Sequence, residues 1–297
     1  MNSNIRTDLA VESEALRRET APRAIPGVRE TNKSERGFEV TELEVLDSDG
    51  ERALGKPRGR YITVALDALL RREENAFADA CAVLSGRLRS LLPPGDGGCL
   101  VVGLGNRDIT PDAIGPAAVD CVMVTRHLKS ELPDEFPGLR PVSAVCAGVL
   151  GTTGIESGEL VRAVTERLRP DAVIAVDALA SRAPERLCRT VQIADTGIVP
   201  GSGVGNARKA LNQETLGVPV IAVGVPTVVD AATLALDLAA KSGVQLDADA
   251  FGTVGSMIVT PREIDRNVHD AAKLIGYAIN LALHEGIGIA DVDMFLS

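Results

Sequence analysis

The residues of this chain that could carry chemistry are aspartates that follow apolar, strand-like stretches. Parallel strands of an open sheet end at a common edge, and ligands bind in the crevice beyond that edge. A single aspartate in such a place is more often a helix cap than a catalyst, whereas several in one crevice favour a site. The aspartates in these positions are Asp112, Asp177, Asp195 and Asp230.

Two of these aspartates, Asp112 and Asp177, suit acid–base catalysis best, because each is expected at a strand-to-helix corner of a buried sheet. When two carboxyl groups face one crevice, their proximity pushes their pKa values apart. One group then stays ionised and activates water, while the other holds a proton and donates it to a leaving group. The residues alone therefore indicate a hydrolase-like protein with paired carboxylates, and they do not say which aspartate is the base.

The sequence lacks the other common catalytic motifs. Gly103 and Gly105 are followed by Asp108, so the dinucleotide-binding pattern G-x-G-x-x-G fails, and residues 201–206 lack the Gly-Lys ending of a phosphate-binding loop. There is no G-x-S-x-G nucleophile motif. The histidines form no H-E-x-x-H pair and the cysteines no C-x-x-C pair, which favours reduced thiols and no metal. These residues are His127, His269, His284, Cys81, Cys99, Cys121, Cys146 and Cys188.

Composition argues against nucleic acid and membrane as partners. The chain has 31 Lys and Arg against 41 Asp and Glu, a net charge of −10, and only 2% aromatic residues. Such a charge would repel a polyphosphate backbone, and base-stacking surfaces need aromatic rings. The N-terminus lacks the apolar segment of a signal peptide, and the longest apolar stretch, 218–229, is too short to cross a bilayer. We therefore expect a soluble, intracellular protein.

Apolar runs alternate with amphipathic stretches along most of the chain. This alternation predicts an α/β fold in which a mostly parallel sheet lies between helices on both faces. Polar residues 1–36 predict a loosely held arm, residues 47–50 a turn, and residues 242–255 the nearest approach to a linker. The predicted strands are 38–45, 60–64, 99–104, 142–145, 172–176, 190–193 and 218–223, and the predicted helices are 72–92, 111–128, 156–168, 229–238 and 261–285.

Longer motifs in this chain resemble those of the germination protease (spore protease) family of endospore-forming bacteria. The resemblance covers nearly the whole chain, and its motifs are long, ordered and specific. They include Arg6-Thr-Asp-Leu-Ala-Val-Glu12, Val101-Val-Gly-Leu-Gly-Asn106, Thr110-Pro-Asp-Ala-Ile-Gly-Pro116, Asp177-Ala-Leu-Ala-Ser-Arg182, Pro200-Gly-Ser-Gly-Val-Gly-Asn206 and Gly224-Val-Pro-Thr-Val-Val-Asp230.

The resemblance implies an endopeptidase that starts the breakdown of small acid-soluble spore proteins during germination, in the cytoplasm of the forespore and spore core. It implies a three-layer fold similar to that of hydrogenase-maturation endopeptidases, a homotetramer, and neither cofactor nor metal. The two catalytic aspartates of the family fall on Asp112 and Asp177. Family members carry a longer insert where residues 239–257 form a short bridge here, which puts in doubt any tetramer contact that the insert supplies.

The same resemblance gives the N-terminus a role. The family makes zymogens that trim themselves, and it cuts after an acid, ahead of a large apolar residue, with a further acid downstream. Residues 7–12, Thr-Asp-Leu-Ala-Val-Glu, imitate that pattern. The implied cut lies between Asp8 and Leu9, which makes 1–8 a propeptide and 9–297 a single peptidase domain. The candidate substrate-binding residues are Asn106, Arg182, Gly201, Gly203 and Arg208, although arginines in such loops are often only solvated surface charges.

Two other functions stay open at this point. The first is a metal-sensing maturation endopeptidase of the same fold, which metal content and a chelator would separate from a metal-free peptidase. The second is a non-catalytic scaffold that binds a phosphate or nucleoside through residues 201–205 as an anion nest. Only a peptidase would release fragments from a small acid-soluble spore protein.

Overall fold

The computed structural model describes residues 6–20, 25–132, 135–136, 138–205, 208–244 and 257–297. Most of the predicted linker at 242–255 lies outside these residues. The strands are β1 Val28–Glu35, β2 Phe38–Val45, β3 Gly59–Ala65, β4 Cys99–Leu104, β5 Val142–Gly148, β6 Ala172–Ser181, β7 Thr190–Ala194, β8 Val220–Asp230 and β9 Ile258–Val259.

Helices occupy most of the segments between the strands. Short 3-10 turns also occur at Thr110–Asp112, Pro184–Arg186 and Ser202–Val204. The α-helices are α1 Ala10–Thr20, α2 Ser48–Leu54, α3 Asp67–Leu70, α4 Ala76–Arg89, α5 Ile114–Val119, α6 Arg126–Glu131, α7 Leu150–Thr153, α8 Ser157–Leu168, α9 Gln213–Leu216, α10 Ala231–Lys241, α11 Ile264–Leu283 and α12 Ile289–Leu296. Within the described residues, no helix is both long and apolar enough to span a membrane.

One mixed sheet joins all the strands of the described residues. Its order is β1-β2-β3-β7-β8-β6-β4-β5, with β9 paired to β8. The four strands β8, β6, β4 and β5 run parallel to one another. The strands β1, β2, β3 and β7 are joined by antiparallel pairing, as are β7 and β8. The predicted α/β class is confirmed. The parallel half of the sheet, β8, β6, β4 and β5, contains the strands that alternate with helices along the sequence.

Helices cover both faces of the parallel strands, as the sequence predicts. Alternate side chains of a strand point to opposite faces, so one strand serves two cores. Val101 and Ile174 pack in the larger core with residues of α4, α5 and α11. Leu100 and Val173 pack on the other face with residues of α8 and α9.

Two local predictions were wrong, and side-chain hydrogen bonds explain both. The predicted helix 111–128 is broken, because Asn280 of α11 accepts a hydrogen bond from the Met123 N–H at 2.9 Å and takes it out of the helical ladder. The hydroxyl of Thr125 then donates to the Arg140 carbonyl next to β5. The predicted turn at 47–50 begins α2 instead, because Asp47 caps the helix by accepting from the N–H groups of Asp49 and Gly50.

The expectation of a loosely held arm at 9–36 was also wrong. The segment forms α1 and the edge strand β1, and Leu9 and Ala10 are fully buried. Leu9 packs in a third apolar cluster with Tyr61 of β3 and Leu179 of β6. The polar average of this region hides the short apolar run at 9–11, which is enough to fasten the N-terminal segment to the sheet.

Leu9→Ala tests this attachment. Truncating a fully buried leucine removes apolar contacts and leaves a cavity, so we expect the free energy of unfolding to fall by about 2–5 kcal/mol. Denaturant unfolding of the full chain measures it. The matched control is Leu238→Ala in α10, where the side chain is 54% exposed. Equal, small effects of both substitutions would show that the N-terminal segment is not fastened.

Candidate active site

A cavity of about 440 Å³ opens at the carboxyl ends of β4 and β6. Its walls come from the 3-10 turn at Thr110–Asp112, from β6, from the loop around residues 198–203 and from the end of β8. Asp112 and Asp177 both line it. The structure thus brings the two aspartates favoured by the sequence to one enclosed space, from positions 65 residues apart (177 − 112).

Asp177 lies inside β6, at the point where the neighbouring strand β4 stops. The last paired residues of β4 and β6 are Gly103 and Val176, so Asp177 is the first residue of β6 beyond that pairing. Its side chain is buried, and its Oδ1 accepts a hydrogen bond from the Ala178 N–H at 2.9 Å. The sequence predicted a strand end here, whereas β6 continues to Ser181. The crevice therefore opens because β4 is the shorter strand.

Asp112 is held in place by the loop that follows β4. The N–H of Asn106 donates to Asp112 Oδ2 at 2.7 Å. Gly105 has a φ of 101°, and a Cβ there would lie only 2.1 Å from the Asp112 carbonyl oxygen, so glycine is required at this turn. The hydroxyl of Thr227 in β8 donates to the Pro111 carbonyl at 2.6 Å. These contacts fix the Asp112 carboxylate between two strand ends.

Burial shifts the pKa values of both aspartates, and a neighbouring charge adds to the shift of one of them. Burial raises the pKa of Asp177 well above its usual range, and the nearby charge of Asp112 raises it further. Burial also raises the pKa of Asp112, while the hydrogen bond from the Asn106 N–H lowers it. Asp177 thus holds a proton more firmly than Asp112 does. Such a division suits one acid and one base.

Asp8 reaches into the same cavity from the N-terminal segment. Its carboxylate accepts hydrogen bonds from the Ala180 N–H at 2.9 Å and from the Ser202 hydroxyl at 2.6 Å. The Asp8 N–H donates to the Ala180 carbonyl at 2.9 Å. Gly203 allows this approach, because a Cβ on it would lie 2.0 Å from Asp8 Oδ2. The described residues just before Leu9 are therefore held against β6 at Ala180.

The remaining predicted site residues have different positions. Gly201, Gly203 and Arg208 line the cavity, and Arg208 pairs with Glu156 across it at 3.2 Å. Asn106 does not line the cavity and acts through its backbone N–H on Asp112. Arg182 also lies outside the cavity, and its guanidinium forms ion pairs with Asp237 and Glu19. The predicted glycine-rich loop thus meets a carboxylate, that of Asp8, through Ser202.

The other two strand-end aspartates differ from each other. Asp230 is buried, lines the cavity and caps α10 by accepting from the N–H and hydroxyl of Thr233. Asp195 lies away from the cavity, where it accepts from the Arg60 N–H at 2.8 Å. Because β7 runs antiparallel to β8, its carboxyl end lies at the opposite edge of the sheet. The prediction that four carboxylates share one edge was therefore wrong for Asp195.

Sequence reasoning missed two side chains that contact the N-terminal segment. Lys56 and Gln192 both donate to the Asp8 carbonyl oxygen, at 2.9 and 3.2 Å. Lys56 precedes β3 and Gln192 lies in β7, and neither belongs to a catalytic motif. Only the pairing of β3 with β7 brings them together, so no local signal in the sequence could reveal them.

Thiol and metal chemistry find little support among the described residues. The five cysteines are free and none lines the cavity. Burial raises the pKa of Cys81 and of Cys99 to about 12, which keeps both thiols protonated and unreactive. In the described part of the chain, no group of three His, Cys, Asp or Glu side chains is arranged to hold a metal ion.

Comparison with known proteins identifies the class as peptidase. A family model described as germination protease matches residues 5–242. A germination protease from Clostridium perfringens (strain ATCC 13124) is 42% identical over 323 aligned residues, which cover 99% of each chain. Another, from Caldanaerobacter subterraneus subsp. tengcongensis, is 43% identical and covers 98% of each chain. The chain belongs to the germination protease family.

Among solved structures, a similarity to a hydrogenase maturation protease is much weaker. The crystal structure of a [NiFe] hydrogenase maturation protease, HycI from Thermococcus kodakarensis KOD1, is 18% identical to this chain. The match covers 65% of this chain and 98% of that one, with a TM-score of 0.37.

Asp177→Asn tests the electrostatics of the pair through stability. Because the folded state binds this proton more tightly than the unfolded state does, stability from Asp177 is present at acidic pH and is lost as pH rises through the raised folded pKa. Asparagine does not titrate. We therefore expect Asp177→Asn to stabilise the protein relative to wild type more at about pH 8 than at about pH 4 in denaturant unfolding.

The control for this measurement is Asp108→Asn, an exposed aspartate of the loop that follows β4. It should show no such dependence on pH. The same stability difference between wild type and Asp177→Asn at both pH values would contradict a strongly raised pKa.

Proposed function

We propose that this protein is an endopeptidase in which Asp112 and Asp177 act as an acid–base pair, and that it is made as a zymogen cut between Asp8 and Leu9. One observation carries the proposal: Asp8, at the implied cut, lines the same cavity as both aspartates. The family membership supports peptidase chemistry, and the geometry supports these residues as its source.

The proposed reaction is direct attack of water on a peptide carbonyl. Asp112, the more exposed of the two, takes a proton from water as the new carbon–oxygen bond forms. The carbonyl π electrons move onto oxygen. Asp177 gives its proton to the nitrogen as the carbon–nitrogen bond breaks, which leaves a new carboxyl group and a new amine. The raised pKa of Asp177 suits the acid role, since burial and the charge of Asp112 favour its protonated form.

The N-terminal segment supports self-processing because it is bound as a substrate would be. The carboxylate of Asp8, the residue before the implied cut, accepts hydrogen bonds from the Ala180 N–H and the Ser202 hydroxyl. The residue after the cut, Leu9, fills an apolar cluster. An acid followed by a large apolar residue thus meets one polar and one apolar subsite.

The downstream acid of the motif also has a defined partner. Glu12 accepts from the backbone N–H groups of Arg182 at 2.6 Å and Ala183 at 3.0 Å, and Arg186 lies 3.6 Å away. The guanidinium of Arg182, a candidate substrate-binding residue in the sequence, pairs with Glu19 and Asp237. We propose instead that its backbone, with Arg186, holds the acid after the cut.

We propose small acid-soluble spore proteins as substrates, and the spore core as the place of action. The family membership supports germination as the setting. The acidic net charge of −10 favours a protein substrate over spore DNA itself. No metal or cofactor enters the proposed reaction.

The proposed assembly is a homotetramer, on the same family grounds. Light scattering on the intact protein during size-exclusion chromatography would give four times the mass of one chain. A mass of one chain at micromolar concentration would reject the tetramer without touching the catalytic proposal.

Asp112→Asn and Asp177→Asn test the acid–base pair. Each removes one partner, and general acid–base catalysis contributes about 10²–10⁴-fold, so each should slow self-cleavage by at least about 100-fold. N-terminal sequencing measures the fraction of chains that begin at Leu9. Incubation with a small acid-soluble spore protein measures fragment release by the same variants. Thermal unfolding confirms that the variants are folded.

Asp108→Asn is the matched control and should process like wild type, because Asp108 is exposed outside the cavity. Full activity of both Asp112→Asn and Asp177→Asn would exclude the aspartate pair. A wild-type chain that matures to a residue other than Leu9 would exclude the proposed cut.

A further inference from the structure

The backbone carbonyl of Asp8 accepts hydrogen bonds from two side chains, one from the loop before β3 and one in β7. Lys56 Nζ donates to this oxygen at 2.9 Å, and Gln192 Nε2 donates at 3.2 Å. Neither side chain lines the cavity that holds Asp112 and Asp177. Two side-chain donors therefore converge on the carbonyl oxygen of the Asp8–Leu9 peptide, and Asp8 itself lines the cavity that holds Asp112 and Asp177.

The orientation of the Gln192 amide is fixed by a second contact. Its Oε1 accepts from the Ala10 N–H at 2.7 Å, which leaves the amide N–H₂ group for the Asp8 carbonyl. Gln192 thus bridges both sides of the implied cut, and its buried side chain has both polar ends satisfied. The donor on the Asp8 oxygen is set before any reaction takes place.

Lys56 is a largely buried, charged side chain, which is unusual for a purely structural contact. A buried ammonium group is costly unless it is paired, and burial lowers the pKa of Lys56. The charges of Asp8 and Glu12 act in the opposite direction and favour the ammonium form. Besides the Asp8 oxygen, Lys56 reaches only the Thr7 carbonyl, at 3.4 Å, among its hydrogen bonds in the described residues. Its donors therefore converge on the backbone oxygens just before the cut.

We propose that Lys56 is a catalytic residue of this peptidase and that, with Gln192, it stabilises the negative charge on the carbonyl oxygen of the bond being cut. This inference rests on the proposed cut between Asp8 and Leu9. When water adds to the Asp8 carbonyl carbon, the π electrons move onto oxygen, and Lys56 and Gln192 hold that charge. When the bond to the Leu9 nitrogen breaks, the electrons return to form the carboxyl group. Both donors end the cycle unchanged.

The competing role for Lys56 is to anchor the N-terminal segment without assisting the reaction. The two roles differ in what they change. A donor to the developing oxyanion stabilises the transition state more than the bound peptide, so its loss lowers kcat. An anchor contributes equally to both, so its loss raises KM and leaves kcat unchanged.

Lys56→Met decides between them, with kinetics measured on the processed enzyme and a peptide that spans residues 6–12. Removing one oxyanion donor typically costs about 10²–10³-fold in kcat, and we expect a loss of that size with little change in KM. Lys33→Met, on the exposed edge strand β1, is the matched control and should match wild type. Lys56→Gln, which keeps a neutral donor, should recover part of the rate, and it replaces Lys56→Met if that variant does not fold.

The outcomes separate this inference from the proposed function. Wild-type cleavage at Asp8–Leu9 together with an unchanged kcat in Lys56→Met would overturn the catalytic role of Lys56 alone. A wild-type chain that never cuts this bond would overturn the proposed function and the inference with it. A kcat loss confined to the Lys56 variants would support both.

Discussion

The structure depends on one electrostatic constraint, the burial of two carboxyl groups beside each other. Asp177 is buried, Asp112 is partly buried, and the charge of Asp112 favours the protonated form of Asp177. The shorter strand β4 uncovers Asp177, and the loop from Gly105 to Asp112 returns the second carboxyl to it. Burial raises the pKa of both groups, and the charge of Asp112 raises that of Asp177 further.

The N-terminal segment reaches the cavity that holds this pair, because Asp8 lines it. The Asp8 N–H donates to the carbonyl of Ala180 in β6, three residues after Asp177, and Leu9 fastens the segment to the sheet. The parallel half of the sheet thus contributes the two aspartates, and the antiparallel half contributes Lys56 and Gln192. The Asp8 carbonyl thus meets donors from outside the parallel strands, while Asp8 lines the cavity that holds both aspartates.

The sequence was informative where the chemistry is local and uninformative where it depends on pairing. The apolar runs predicted the parallel strands, and the positions after these runs pointed to Asp112 and Asp177 as candidate site residues. The same reasoning failed for Asp195, because the direction of β7 depends on its neighbours. Lys56 and Gln192, which are 48 and 184 residues from Asp8 in the chain, reach it only through sheet pairing. Average polarity likewise hid the buried Leu9.

The most direct measurement is the pKa of Asp177, followed by ¹³C NMR of the labelled aspartate carboxyl carbons during a pH titration. We expect it to lie well above the usual aspartate range in the wild-type chain, because of burial and the charge of Asp112. It should fall when Asp112→Asn removes that charge. A pKa in the ordinary range, or one that is the same in wild type and Asp112→Asn, would contradict a coupled acid–base pair.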